Sequence, residues 1–270
     1  MPFWPNLHER VVTPEAMDDP ALPTAKHVAA LRGLRRVNRV SDSAGIVWEP
    51  LETLARQRGA PLHVLDIATG FGDVPVALWH RARKHGVALR IDACDVSDTA
   101  VGIAAVRAAE QHAPIRFFRA DVLHDPFPSC RGNSYDVVMC SLFLHHLSDE
   151  QAVMVLGKMV QAARTMVVVN DLERCRAGYL VAWFGTRLLT CSRVVHQDGP
   201  QSVAAGFTSS ELSRLAERAG MKGAAVERCW PWRLRMNWKR PSEPSPRGRG
   251  PVSKGDSPRR GEGRRRDDHT

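Results

Sequence analysis

The chain has 270 residues, with 38 Lys and Arg against 29 Asp and Glu, for a formal net charge of +9. Apolar residues make up 43% and charged residues 25%, a mix that excludes a wholly disordered, a collagen-like or a disulfide-dense chain. No stretch of about 18 apolar residues occurs; the nearest, Tyr179 to Cys191, is short and contains Arg187.

In chain order, residues 1–60 read as a helical N-terminal extension. Thr24 is placed to cap a helix on which Val28, Leu31, Leu34 and Val37 recur at near-helical spacing. A second helix carries Ile46, Val47, Leu51, Leu54 and Ala55 and stops at Gly59. From residue 62 the pattern changes. Short apolar runs at 62–68, 88–94, 115–118, 135–142 and 165–169 alternate with helical stretches at 73–85, 98–112 and 149–163. Near-continuous apolar strands separated by helices predict a parallel sheet covered on both faces.

Two further helix starts have capping-box spacing, Ser148 with Gln151 and Thr208 with Glu211. The second of these helices presents Leu212, Leu215, Ala216 and Ala219 and ends at Gly220. The period then becomes two: Trp232, Leu234, Met236 and Trp238 alternate with Arg233, Arg235 and Asn237. That pattern predicts a terminal antiparallel hairpin with 224–229, one face buried and the other cationic and exposed. Residues 241–270 hold eight Lys/Arg and five Asp/Glu among Pro, Gly and Ser, and read as a basic disordered tail, either a solvated end or an arm for nucleic acid or a membrane surface. The main domain is therefore expected over 61–240. The six cysteines, 94, 130, 140, 175, 191 and 229, form no CxxC pair, so neither a zinc site nor a disulfide framework is expected. With no secretory signal at the N-terminus, a cytoplasmic location is the expectation.

The sharpest segment is Val64-Leu65-Asp66-Ile67-Ala68-Thr69-Gly70-Phe71-Gly72-Asp73, at the turn from the first strand into a helix. Glycines there let backbone N–H groups approach a ligand. A dinucleotide fingerprint fits Gly70 and Gly72 but meets Pro75 at the third glycine position. An adenosylmethionine turn fits better, because that ligand carries an amino acid whose carboxylate suits N–H groups and whose ammonium suits Asp66. Asp95 then follows the second strand, where a carboxylate can accept from both ribose hydroxyls, with Val96 beside it. Asp121 follows the third strand, where it can accept from an adenine amino group with the Val122 backbone alongside, and Tyr135-Asp136 opens the fourth. Any one of these acids alone is an ordinary loop or cap residue; the ordered set is what points to a nucleoside.

The stretch from Leu62 to Met236 resembles the class I S-adenosylmethionine-dependent methyltransferases. LDIATGFGD is similar to the family's first motif, with Ala68 where many members carry Gly, in a form like that of the ubiquinone and menaquinone biosynthesis enzymes. YDVVMCSLFLHHL resembles the fourth-strand motif, and Ala205-Gly206-Phe207-Thr208 the stretch before the last helix. The resemblance implies a Rossmann-like, doubly wound α/β fold of seven strands, order 3-2-1-4-5-7-6 with strand 7 antiparallel. It also implies that S-adenosylmethionine is held by Asp66, Ala68, Gly70 and Gly72 at its methionine part, by Asp95 and Val96 at the ribose and by Asp121 and Val122 at the adenine. Ser141 and Leu142 would flank the sulfonium.

On the acceptor side, His145-His146 follows the fourth strand and reads either as a base or orienting group for the acceptor, or as a packing element. Asp171 and Arg174, after the fifth strand, read as acceptor-orienting groups or as a capping salt pair. Tyr179 to Leu189 forms an apolar stretch that reads as a lid over an apolar acceptor or as a buried helix, and His196 and Asp198, in the same insertion, read either as groups serving the acceptor or as part of a solvated loop. The expected function is methyl transfer to an oxygen or carbon of a small, phenolic or lipid-like acceptor, with His145 and Asp171 as the candidate catalytic residues, no metal, and a peripheral membrane contact open. A nucleic-acid methyltransferase is the alternative, raised by basic residues interleaved with tryptophans in the hairpin. A non-catalytic donor-binding protein is a further one.

Overall fold

The computed structural model describes residues 6–18, 21–127 and 135–241. The tail beyond Pro241, and Cys130, lie outside the described residues. The elements run α1 (Thr24–Val40), α2 (Ser43–Arg58), β1 (Leu62–Ile67), α3 (Asp73–Lys84), β2 (Leu89–Asp95), α4 (Asp98–Glu110) and β3 (Arg116–Arg119). They continue with β4 (Tyr135–Ser141), α5 (Asp149–Ala162), β5 (Ala163–Leu172), α6 (Arg176–Leu189), α7 (Arg193–Ala205), α8 (Ser209–Arg218), β6 (Ala225–Cys229) and β7 (Arg233–Lys239). The sheet order is β3-β2-β1-β4-β5-β7-β6. β7 is antiparallel to β5 and β6, and the other pairings are parallel. This is the seven-stranded, doubly wound arrangement that the motifs imply.

The apolar runs explain the layering. Successive residues of a strand point to opposite faces. On one face Leu65, Ile67, Val138, Cys140, Val167 and Val169 pack with Val155, Leu156 and Met159 of α5 and Leu212 and Leu215 of α8. On the other face Val64, Val137, Met139, Met166 and Val168 pack with Val47 and Leu51 of α2 and Leu78 of α3. Each such side chain, fully buried, contributes about 1.5–3 kcal/mol. With both faces occupied, polar side chains have room only at the strand ends. Both capping boxes form as expected, Ser148 with Gln151 and Thr208 with Glu211.

Four expectations need correction. First, the alternation in β7 does not separate a core face from a solvent face. Leu234, Met236 and Trp238 join the α5/α8 cluster, but Arg233 and Arg235 are buried too, because α2 lies over them. Arg235 donates to Ile46 O and pairs with Glu49 and Glu227, and Arg233 donates to Ser41 Oγ at 3.2 Å. Second, Trp232 precedes the strand and is exposed. Third, α1 begins at Thr24 with Pro23 as its N-cap and no side-chain cap bond. Fourth, 193–205 is a helix, not a solvated loop, despite Gly199 and Pro200 within it. Tertiary packing overrides propensity there: Val195, Asp198 and Val203 are buried.

The turn from β1 into α3 is tight. Gly72 has φ +67, and a Cβ there would sit 2.9 Å from the Phe117 ring and 3.1 Å from Ala104 Cβ. Gly70 has φ +54 but faces open space. Gly72→Ala is therefore expected to destabilise by about 2–4 kcal/mol, combining left-handed strain and overpacking. Gly70→Ala should lose only about 1–2 kcal/mol. Urea unfolding of the two variants checks the order; equal losses would remove the packing role given to Gly72.

Candidate active site

The carboxyl edge of the central strands gathers the predicted donor residues. Asp66 is buried near the end of β1, where its Oδ2 accepts from Thr69 Oγ1 at 2.6 Å and its Oδ1 has no hydrogen-bond partner. Burial raises its pKa to about 7, against the Thr69 hydroxyl, and the nearby charge of Asp95 adds to the rise. Asp95 Oδ2 accepts the Gly70 N–H at 2.8 Å, and Oδ1 accepts the Ser97 N–H at 3.0 Å. One carboxylate thus ties the end of β2 to the glycine turn. Ala68 has φ +51, a left-handed conformation at the position where similar sequences carry Gly.

The remaining donor candidates spread along the same edge. Ala120 N–H donates to Asp95 O at 2.9 Å, which sets the turn after β3 against the end of β2. Asp121 faces its own turn: Oδ1 accepts the Leu123 and His124 N–H groups and Oδ2 pairs with His124 Nδ1. Val122 is buried in the core and its carbonyl accepts from Lys158 Nζ, whereas Val96 is exposed. Ser141 ends β4 in register with Asn170 of β5, and Ser141 Oγ and both Asn170 side-chain polar atoms are buried without partners. Unpaired buried polar groups are rare, and each needs an explanation. Those of Asp66, Ser141 and Asn170 lie on β1, β4 and β5, where the motifs place a polar nucleoside and its ammonium group.

The acceptor side begins one residue further on. Leu142 has φ +56 and donates its N–H to Asn170 O. The 3-10 turn Leu144–His146 then brings His145 over the end of β5. His145 Nδ1 lies 2.6 Å from Asp171 Oδ1, and its backbone N–H donates to Asp171 Oδ2 at 3.3 Å. His145 Nε2 is 3.7 Å from Glu15 Oε1. Burial works against a charged His145 ring, but the charges and hydrogen bonds of Asp171 and Glu15 outweigh it and raise the pKa to about 9. His146, its ring centroid 4.2 Å away, is driven down to about 4 by burial and by the charge on His145. At neutral pH the first ring is a cation between two carboxylates and the second is neutral.

A cavity of about 290 Å³ opens beside this pair. Leu142, His145, His146 and Glu15 wall one part of it; Leu34, Val37, Val181, Ala182, Leu189 and Val195, from α1, α6 and α7, wall much of the rest. Asp171 is absent from the wall and acts through His145. Arg174 is absent as well: it is buried, donates to Leu7 O and Gly206 O, and pairs with Glu211 rather than with Asp171. Asp198 does reach the cavity, where it accepts the Ala16 and Met17 N–H groups.

Glu15 escaped the sequence reading. It sits in an irregular segment, residues 6–15, with no periodicity and no motif. Arg10 anchors that segment by donating to Ala205 O, Leu144 O, His145 O and Leu147 O while its guanidinium stacks 4.0 Å above Phe207. Among the described residues, Glu15, His145 and His146 are also the group able to close on a metal ion, with one ligand atom each, all within 4.8 Å of one another. Within this group Glu15 Oε1 stands 3.7 Å from His145 Nε2.

Residues 64–165 match a family model described as a methyltransferase domain. The chain resembles that family over these residues. Its fold is similar to that of the S-adenosylmethionine-dependent methyltransferase SibL, with a TM-score of 0.59 and 20% identity over 83% of this chain and 60% of that one. It is likewise similar to the plantazolicin methyltransferase BpumL, solved with S-adenosylhomocysteine, with a TM-score of 0.58 and 14% identity over 82% and 91%. Magnesium protoporphyrin IX methyltransferase from Synechocystis PCC 6803 gives 0.52 and 16% over 75% and 85%. No curated protein matches the sequence. The quinone-enzyme likeness of the first motif is not carried further by these matches. The matched residues end in β5, so α6, α7 and the N-terminal segment, which wall much of the cavity, lie outside them.

The raised pKa of His145 has a measurable sign. A folded value of about 9 against an ordinary 6.5 means that its proton stabilises the fold fully below pH 6.5 and that this contribution is lost as pH rises to about 9. The melting temperature should therefore fall across that window, and Asp171→Asn should largely flatten the fall by removing the main counter-charge. Parallel slopes in the two proteins would rule out a charged His145.

Proposed function

We propose that the chain transfers the methyl group of S-adenosylmethionine to an oxygen or carbon of a small, mainly apolar acceptor, one with a phenolic or similarly acidic group. The observation that carries this reading is the continuity of the edge: Ser141 ends the donor strand, and Leu142, His145 and His146 directly after it form the wall of an apolar cavity. When bound, the cofactor supplies an electrophilic methyl group on a sulfonium. Asp66, with an unpartnered buried oxygen, takes the ammonium group. The glycine turn, its Gly70 N–H held by Asp95 and its Gly72 N–H by Thr69 O, lets the donor approach the backbone; Asp95 takes the ribose hydroxyls, and Asp121 with the Val122 backbone the adenine.

The chain's own residues then handle the acceptor. His145, held between Asp171 and Glu15, and His146, held neutral, stand at the polar corner of the cavity and orient the polar group of the acceptor. The apolar walls exclude water, which strengthens these charges and keeps the donor from hydrolysis. Asp171 is a positioning residue, buried behind His145. Of the hairpin arginines, Arg233 and Arg235 are buried, whereas Arg228 is exposed and pairs with Glu173.

Two measurements test the reading. Asp66→Asn is expected to weaken binding of S-adenosylhomocysteine by roughly 1.5–3 kcal/mol, the usual cost of losing a hydrogen bond to a charged group. Titration calorimetry that finds the affinity unchanged would overturn the donor assignment. Incubation of the full chain with methyl-labelled donor and a cell extract should place label in the organic-soluble small molecules. Label appearing in RNA or protein would sink the small-molecule reading.

A further inference from the structure

The outer face of the cavity is unlike the rest of the surface. On α6, Val181, Phe184 and Leu188 follow at intervals of three and four, which puts them on one side of the helix, and they are 41%, 62% and 86% exposed. Beside them the turn between β6 and β7 exposes Trp230 at 69% and Trp232 at 37%. Trp232 lies against α6, its Cβ 3.2 Å from where a Gly178 Cβ would stand. Val181, Trp230 and Trp232 also line the cavity. The rim of an apolar cavity is therefore itself apolar and faces water.

Two helices at this rim carry charge of one sign. α1 and α6 contain no Asp or Glu. On α1, Arg32 and Arg36 are exposed one turn apart, and Arg36 reaches the Leu189 carbonyl at the end of α6. On α6, Arg187 is exposed and stacks 3.9 Å from the Trp183 ring. Exposed apolar side chains with tryptophans, flanked by arginines, are what a headgroup boundary accepts: the rings and aliphatic groups enter the acyl edge while the cations meet lipid phosphates. Among the described residues no helix is long and apolar enough to cross a membrane, so the contact is with the surface.

We propose that the α6 stripe and the β6–β7 tryptophans dock the protein on an anionic lipid bilayer, mouth down, so that an apolar acceptor enters the cavity from the membrane. The entry path rests on the reading of the cavity as the acceptor site; the docking itself does not. The basic tail can hold a vesicle by charge alone, so the readout must report insertion. Residues 241–270 contain no tryptophan. The test uses the full chain with vesicles of phosphatidylcholine alone or with 30% phosphatidylglycerol, each with and without brominated acyl chains, and no donor. Brominated anionic vesicles are expected to quench tryptophan fluorescence, and neutral vesicles to do so far less. The pair Phe184→Glu with Leu188→Glu, on exposed positions outside the cavity wall, should abolish quenching while S-adenosylhomocysteine binding stays unchanged. Leu188→Ser alone should reduce quenching with the same control. Absent quenching in the parent protein, or equal quenching in the variants, would overturn the proposal. So would a dimer, seen by light scattering, that the paired substitution splits into monomers, since a second copy would then cover this face. Failure of donor binding in every form would count against the proposed activity and leave the vesicle result standing.

Discussion

Asp171 ends a strand whose two faces are both buried, and its carboxylate is wholly shielded from water. An isolated buried charge is strongly unfavourable, so the surroundings must supply a cation and donors. They do: the His145 ring at 2.6 Å, the His145 backbone N–H and the Leu172 N–H at 2.7 Å all converge on it. The pair fixes the conformation of the chain after β4. Leu144–His146 must coil into a short turn for both the ring and the amide of His145 to reach one carboxylate. That turn in turn decides which side chains face the cavity. Removing one partner of such a pair typically costs about 3–5 kcal/mol because the other charge is left buried, so positioning and stability are not separable at this point of the fold.

A second constraint comes from the N-terminal segment. Residues 6–15 have no regular structure, yet their backbone and side chains are bonded to α5, α7 and the turn after β4. Arg10 alone meets four carbonyl groups of the turn and the end of α7. Arg174 holds Leu7 O from below. Val11 N–H donates to Ala204 O, and Gln201 donates to the Thr13 and Pro14 carbonyls. These bonds seat Glu15 opposite Asp171 on the other side of His145. Asp171, joined by this second carboxylate, keeps the imidazole charged in a place where burial alone would neutralise it.

Much of the fold was legible because it follows from periodicity. Val64–Ile67, Val137–Cys140 and Met166–Val169 are apolar at every position or nearly so, and only a sheet covered on both faces uses such runs. The glycine turn and Asp95 were legible for a local reason: Gly70 and Gly72 need left-handed backbone, and the acid that ties the turn stands at the next strand end. The misreadings were tertiary. Alternation in Arg233–Trp238 reports which residues share a face, not what lies over it, and the helix that buries Arg235 is Ser43–Arg58, far away in sequence. α7 was hidden by Gly199 and Pro200, whose local cost is offset by Val195 and Val203 in the core. Glu15 had no signal of any kind, since its role is created by partners more than 125 positions away.

The two halves of the site differ in physical character, and the difference bears on its chemistry. The donor edge is polar, built from strand ends and a glycine turn, with Asp66 poised between its charged and neutral forms. The acceptor cavity is apolar apart from the corner formed by Glu15, His145 and His146, with Asp198 turned to backbone N–H groups. In such a cavity charges act over a longer range than they would in water. His145 is a cation, but it stands between Glu15 and Asp171, so this corner carries no net positive charge, and His146 beside it is held neutral. Leu142, in its strained left-handed conformation, is the residue at which the two halves meet. Its carbonyl and side chain are turned by a backbone angle that few non-glycine residues adopt, which is how one strand end comes to serve a polar site and an apolar one within two residues.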